Sequence, residues 1–185
     1  MASYADDTQD RARRFRDAAL PYLDDVFTLA RYLMRNTADA EDAAQECYLR
    51  ALRHFDSYRG PAMKPWLLSI LRNVCNAEFA RRGRSELTEE CETETTAGDA
   101  PLWQEPEASP ETSLLRAHDD ETIRGLVAAL PQQFREIIVL REINDLSYQE
   151  IAQVAGVPVG TVMSRLARAR AMLRAAWNVA EGAAS

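Results

Sequence analysis

The chain has 185 residues, 46% of them hydrophobic and 28% charged, and its 22 basic and 29 acidic side chains leave a net charge of −7. That length allows one domain or two small ones, and the hydrophobic share is enough to build packed cores. No apolar run approaches the roughly 20 residues of a membrane span, and the opening MASYADDTQDRARRFRD resembles no signal peptide, so membrane insertion is not expected and the chain is expected to be cytoplasmic.

In chain order, Ala19 to Leu33 carries Leu20, Leu23, Phe27 and Ala30 at helical spacing. After NTADAED a second helix places Ala40, Ala43, Ala44, Cys47 and Ala51 on one face, small enough for close helix packing. Asp42, Gln45 and Glu46 share the opposite face at i, i+3 and i+4, which suits either an acidic docking patch or a solvated surface. The stretch DSYRGPAMKP, with two prolines and a glycine, breaks the helix. A third run, Trp66 to Arg82, sets Leu67, Ile70, Leu71 and Val74 against polar Arg72, Asn73, Asn76, Arg81 and Arg82.

The charge is unevenly distributed. Residues 1–85 carry 14 basic and 12 acidic side chains, residues 86–125 carry 2 and 12, and residues 126–185 carry 6 and 5. The middle segment, ELTEECETETTAGDAPLWQEPEASPETS, is rich in Glu, Thr and Pro and lacks a helical apolar period, so it reads as an acidic flexible linker over 86–121 between two folded blocks.

Beyond the linker, LSYQE forms a capping box, in which Ser147 accepts from the amide of Glu150 and the Glu150 side chain returns to the amide of Ser147. Ile151, Ala152 and Val154 form the buried side of the helix it starts, Gly156 suits a left-handed turn, and Pro158 suits the first position of a second helix. This is the spacing of a helix-turn-helix. On the second helix Val162, Leu166, Ala169 and Leu173 form a packing stripe, while Thr161, Ser164, Arg165 and Arg168 form a polar one. The polar stripe offers donors to phosphates and base edges, arginine being matched to guanine O6 and N7; a plain solvated face is the alternative. No stretch alternates with period two, so the fold class is all-α, with two small helical domains.

Two segments resemble the extracytoplasmic-function (ECF) sigma factors of bacterial RNA polymerase. LPQQFREIIVLREINDLSYQEIAQVAGVPVGTVMSRLARAR resembles their C-terminal promoter-binding domain, and DAEDAAQECYLRALRHFDSYRG with WLLSILRNVCNAEFARR resembles their N-terminal one. The resemblance implies a sigma region 2 over 1–85 and a region 4 over 122–185, core RNA polymerase and promoter DNA as partners, and an anti-sigma factor as regulator. It implies that Asp42, Gln45 and Glu46 contact the polymerase clamp helices. It also implies that Tyr58, Arg59, Lys64, Trp66, Arg72, Asn73 and Asn76 capture and open minus-10 DNA, although Trp66 suits a core position equally well. Thr161, Ser164, Arg165 and Arg168 would then read the minus-35 element. The family usually has a basic residue where Met163 stands and often a larger one at Ala167, and RGPAMKPW replaces a commoner polar run.

Cys47, Cys75 and Cys91 are far apart with no C-x-x-C pair, and His54 and His118 are the only histidines. No disulfide framework, metal site, cofactor or enzymatic activity is therefore expected. The rival readings are a helix-turn-helix regulator that binds duplex DNA without polymerase and, on poorer spacing, a redox sensor built on the three cysteines.

Overall fold

Pro21 divides the first apolar run. The computed structural model describes residues 3–34, 36–60, 62–86 and 123–184, and the regular elements among them are helical. Helix α1 (Ser3–Ala19) ends in a 3-10 turn, Leu20–Tyr22, carrying that proline, and α2 (Leu23–Leu33) follows. The turn rotates the register. The buried face of α2 is Val26, Leu29, Ala30 and Leu33, while Leu20 and Leu23, expected on the apolar face, are 48% and 45% exposed. Helix α1, unforeseen from its polar sequence, is fastened by Arg11, whose guanidinium donates to the carbonyls of Leu52 and Arg53 at 2.7 and 3.3 Å, and by Phe15, edge-on to Phe55 and Tyr48.

Asn36 caps α3 (Thr37–His54), its side-chain oxygen accepting from the Asp39 amide at 2.8 Å. The small-residue face of α3 is buried as expected: Ala40, Ala43, Ala44, Cys47 and Ala51. It packs on α4 (Met63–Glu86), where Leu67, Leu68 and Leu71 are fully buried, each stabilising by roughly 1.5–3 kcal/mol. Helix α4 begins three residues before Trp66 and takes Pro65 in its first turn, where a missing N–H leaves no bond unmade. Arg82 ties α4 to α3 through Asp39 at 2.6 Å and to Glu78 at 2.9 Å, and the guanidinium holds the Asp39 carboxyl below its usual range.

The second group comprises α5 (residues 123–129), α6 (Gln132–Glu142), α7 (Tyr148–Ala155) and α8 (Val159–Ala184). Asp145, at φ 55, turns the chain between α6 and α7, and Arg141 braces that turn by donating to Leu146 O at 2.8 Å and lying 5.2 Å from the Tyr148 ring centre. The two groups pack together, α6 on α2 and α7 on α4. At this seam buried Asn144 donates to the Asp25 backbone at 3.1 Å, and Arg135 donates to Tyr32 O at 3.1 Å. The acidic linker expected over 86–121 lies, from residue 87, outside the described residues.

Candidate nucleic-acid and polymerase surfaces

The α7–turn–α8 unit has the expected capping and turn. Glu150 Oε2 accepts from the Ser147 amide at 2.8 Å, and the Ser147 hydroxyl accepts from the Glu150 amide at 3.3 Å. The Ser147 hydroxyl also donates to Glu150 Oε2 at 2.7 Å, and this bond, then that from the Ser147 amide, holds the Glu150 carboxyl below its ordinary range. Gly156 adopts φ 64, ψ 36, the left-handed conformation in which a β-carbon is strained. Pro158 sits just before α8 rather than inside it, its carbonyl accepting from the amides of Thr161 and Val162.

Val162, Leu166 and Ala169 of α8 are fully buried, so the packing stripe is where its spacing puts it. The polar stripe divides. Ser164 and Arg168 are exposed, whereas Thr161 and Arg165 are half-buried. Between the stripes' exposed members stand Val159, 38% exposed, and Met163, 54% exposed.

On α3, Asp42 and Gln45 are exposed and Glu46 is half-buried, held by Arg50 at 2.6 Å. Leu49 continues this face at 51% exposure, an apolar member that the charge pattern did not single out. The residues expected at minus-10 DNA lie on α4 and on the loop before it, spread over about half of the helix circumference. Tyr58 and Trp66 lie with ring centres 4.7 Å apart and planes at 39°, so Trp66 is half-buried between core and cleft. Gly60 permits this: a β-carbon there would meet the Tyr58 ring at 2.8 Å. Arg59 is exposed and turned onto its own loop, donating to Asp56 O and Tyr58 O; Asn73 is exposed. Pro61 lies outside the described residues.

Three of these residues are held by other helices, an arrangement that spacing alone did not foretell. Lys64 pairs with Asp25 at 2.7 Å, the Asn76 side-chain oxygen accepts from Gln132 at 3.4 Å, and Arg72 donates to the carboxylate of Glu136. Glu136 is only 6% exposed. Burial pushes its carboxyl up, opposed by Arg72 and then by Arg165 of α8. One buried carboxylate thus faces a cation from each of the two expected DNA-reading sets. The signal for Glu136 was present, since it leads the apolar run IIVL and shares its helix face with Val139 and Leu140; its partner Arg72, 64 residues away, left none. An open cleft of about 540 Å³ separates Tyr58, Gly60 and Trp66 from Ser147, Gln149 and Glu150 of α7.

Cys47 and Cys75 are buried, and burial pushes both thiols up to about 12, so they stay protonated and unreactive. Cys91 lies outside the described residues. Among the described residues no group of three or more His, Cys, Asp or Glu side chains could hold a metal ion, and no helix is long and apolar enough to cross a membrane.

Comparison with known proteins identifies the family. The Sigma-70 region 2 family model matches residues 19–85 and the Sigma-70 region 4 model matches residues 120–173. The RNA polymerase sigma-H factor of Pseudomonas aeruginosa is 34% identical over 164 residues, covering 85% of this chain and 83% of that protein. The ECF RNA polymerase sigma factor SigW of Bacillus subtilis is 30% identical over 164 residues, covering 86% and 87%. Among solved structures, the sigma factor RpoE in complex with the anti-sigma factor NepR from Bartonella quintana superposes with a TM-score of 0.75 at 26% identity, covering 90% of this chain and 98% of that one. With both region models in order and curated relatives matched over most of their length, the chain belongs to the ECF subfamily of sigma-70-type RNA polymerase sigma factors.

Proposed function

We propose that the chain is an alternative sigma factor that docks on core RNA polymerase through α3 and holds two promoter elements for it, without bond chemistry of its own. Residues 1–85 form the polymerase-binding and minus-10 domain, 86–121 an acidic linker, and 122–185 the minus-35 domain. The observation that carries this reading is one chain bearing both an exposed acidic face on α3, at Asp42 and Gln45 with Glu46 beside them, and a capped helix-turn-helix with an arginine-bearing second helix. A regulator that works without polymerase needs only the second.

Tyr58 and Trp66 provide a stacking surface for an unpaired base, and Arg59, Lys64, Arg72, Asn73 and Asn76 provide donors for the strand around it. Binding energy realised only on the single-stranded form shifts the minus-10 duplex toward melting. Ser164, Arg165, Arg168 and Thr161 contact the minus-35 duplex. The described conformation is closed for this purpose, because Arg72 and Asn76 are held by α6. The Bartonella quintana relative that superposes on it was solved with an anti-sigma factor, and a partner of that class would hold this chain in the same closed form in the cytoplasm. Core polymerase would then compete for the open one.

The test is retention on immobilised core polymerase. The intact chain binds, and an Asp42→Arg, Glu46→Arg variant with an unchanged melting profile loses at least tenfold in affinity. Equal retention of the two proteins would remove α3 as the dock.

A further inference from the structure

The exposed part of α8 contains an apolar lane. Val159, Met163 and Ala167 follow one another at i, i+4 and i+8, all exposed, beside the equally exposed lane of Gly160, Ser164 and Arg168. Val162, Leu166 and Ala169, on the buried side, account for the packing of the helix. Met163 is 54% exposed and Val159 38%, so neither is needed for the core. From Val159 to Ala180 the helix has four arginines, Arg165, Arg168, Arg170 and Arg174, and no carboxylate of its own; Arg170 pairs with Glu142 of α6 at 2.5 Å and Arg165 faces Glu136, so exposed Arg168 and Arg174 supply the positive charge at the rim. A surface cationic at its rim and apolar along one strip fits a polyanion that presents apolar groups between its phosphates. The major groove of DNA is such a surface, and its one apolar edge group is the thymine 5-methyl.

We infer that Met163, flanked by Val159 and Ala167, is a specificity residue that selects thymine in the minus-35 element by packing on its 5-methyl group. This rests on the promoter-reading role proposed above for α8. The discrimination has two parts. A thymine methyl loses its water against the Met163 side chain, whose three rotatable bonds let it follow the groove floor. Guanine or adenine in the same place would set its N7 acceptor against a side chain with only a weak thioether acceptor, leaving that group unpaired as the contact dries, whereas cytosine would present only its C5–H and lose the methyl contact. The lane runs eight residue steps, about 12 Å at 1.5 Å per residue, the length of three to four base steps. Arg168, in the neighbouring lane, and Ser164, whose hydroxyl donates to the Thr161 carbonyl at 3.0 Å and can still accept, face neighbouring base edges or phosphates, so apolar and polar readout run side by side.

Deoxyuridine lacks only the methyl group, which makes it the probe. Promoters are first recovered by transcription from pooled genomic fragments with core polymerase and the chain. In one such promoter the minus-35 thymines are replaced singly by deoxyuridine, and holoenzyme binding is measured with the native chain, Met163→Ala and Met172→Ala. Met172 is a second exposed methionine on α8, 40% exposed and about 180° around the helix from Met163, and serves as the control. The expected result is a weakening of roughly fourfold at one or two thymines, the value of a buried methyl group. Met163→Ala should abolish the thymine–deoxyuridine difference, and Met172→Ala should keep it.

A minus-35 element without thymine, no deoxyuridine effect, or the same effect in Met163→Ala would each overturn the inference. Failure of the native chain to give any chain-dependent transcripts from the starting pool would instead defeat the sigma-factor reading itself, so the two failures are separable.

Discussion

Replacing Arg72 with methionine keeps an apolar stem on α4 and removes the guanidinium that meets Glu136. The Glu136 side chain, 7% exposed, is then left facing Arg165 as its remaining cation. Stranding one member of a buried ion pair costs about 3–5 kcal/mol. Arg72 is itself 24% exposed and Arg165 remains, which lowers the expected cost to about 2–3 kcal/mol. Separation of α4 from α6 would return water to Glu136 and relieve it, so the closed-to-open ratio should fall about 30- to 150-fold at roughly 1.4 kcal/mol per decade. Cys75 reports this opening: it lies one turn beyond Arg72, is fully buried, and has its thiol pushed up to about 12 by burial and then by Glu136.

In a Cys91→Ser background, the Arg72→Met chain should show faster labelling of Cys75 by a thiol reagent, with labelling of Cys47, buried between α3 and α4, as the internal reference. Burial raises the Glu136 carboxyl above its ordinary value, so the closed form binds that proton more tightly than the open form. The group's contribution to closure is fully present below the ordinary glutamate value and is lost as pH rises through the raised one. The labelling difference should therefore shrink on acidification. An unchanged Cys75-to-Cys47 ratio at neutral pH, or an equal rise at both thiols, would refute a closed state held by this pair.

Gly156→Ala should cost about 1 kcal/mol through its positive φ alone, since no atom lies within 4 Å of an added β-carbon, and should lower the melting temperature by about 2–4 °C. Gly156→Asn, better suited to the left-handed region, should lose less. Ser147→Ala removes the cap of α7 and should destabilise the helix-turn-helix by about 1 kcal/mol in thermal unfolding. Because the Glu150 carboxyl is held below its ordinary value, first by the Ser147 side chain and then by its amide, its stabilising share is present above the ordinary glutamate value and lost as pH falls through the lowered one. The difference between native and Ser147→Ala stabilities should narrow along the same path.

Local chemistry was legible in the sequence, and contacts between distant segments were not. The capping box, the Gly156 turn and the buried stripe of α8 depend on residues within a few positions of one another, and each forms as its spacing indicates. The small-residue face of α3 follows for the same reason. The face of α2 went astray because Pro21 inserts a 3-10 turn that resets the helical phase, so Leu20 and Leu23 turn outward. Helix α1 carries too few apolar residues to announce itself, and its anchor is Arg11 reaching the carbonyl end of α3 some 41 residues on. The site was legible as a set of residue types. That Arg72 and Asn76 are occupied by Glu136 and Gln132 required pairings across 64 and 56 residues, beyond any local pattern.

Whether this chain confers promoter choice on polymerase is decided by transcription from pooled genomic fragments with purified core polymerase. A sigma factor gives transcripts that require both core and the chain, whose mapped starts lie at a fixed distance from a shared two-part motif. Chain-independent starts, combined with tight binding of the free chain to duplex DNA, would contradict that role.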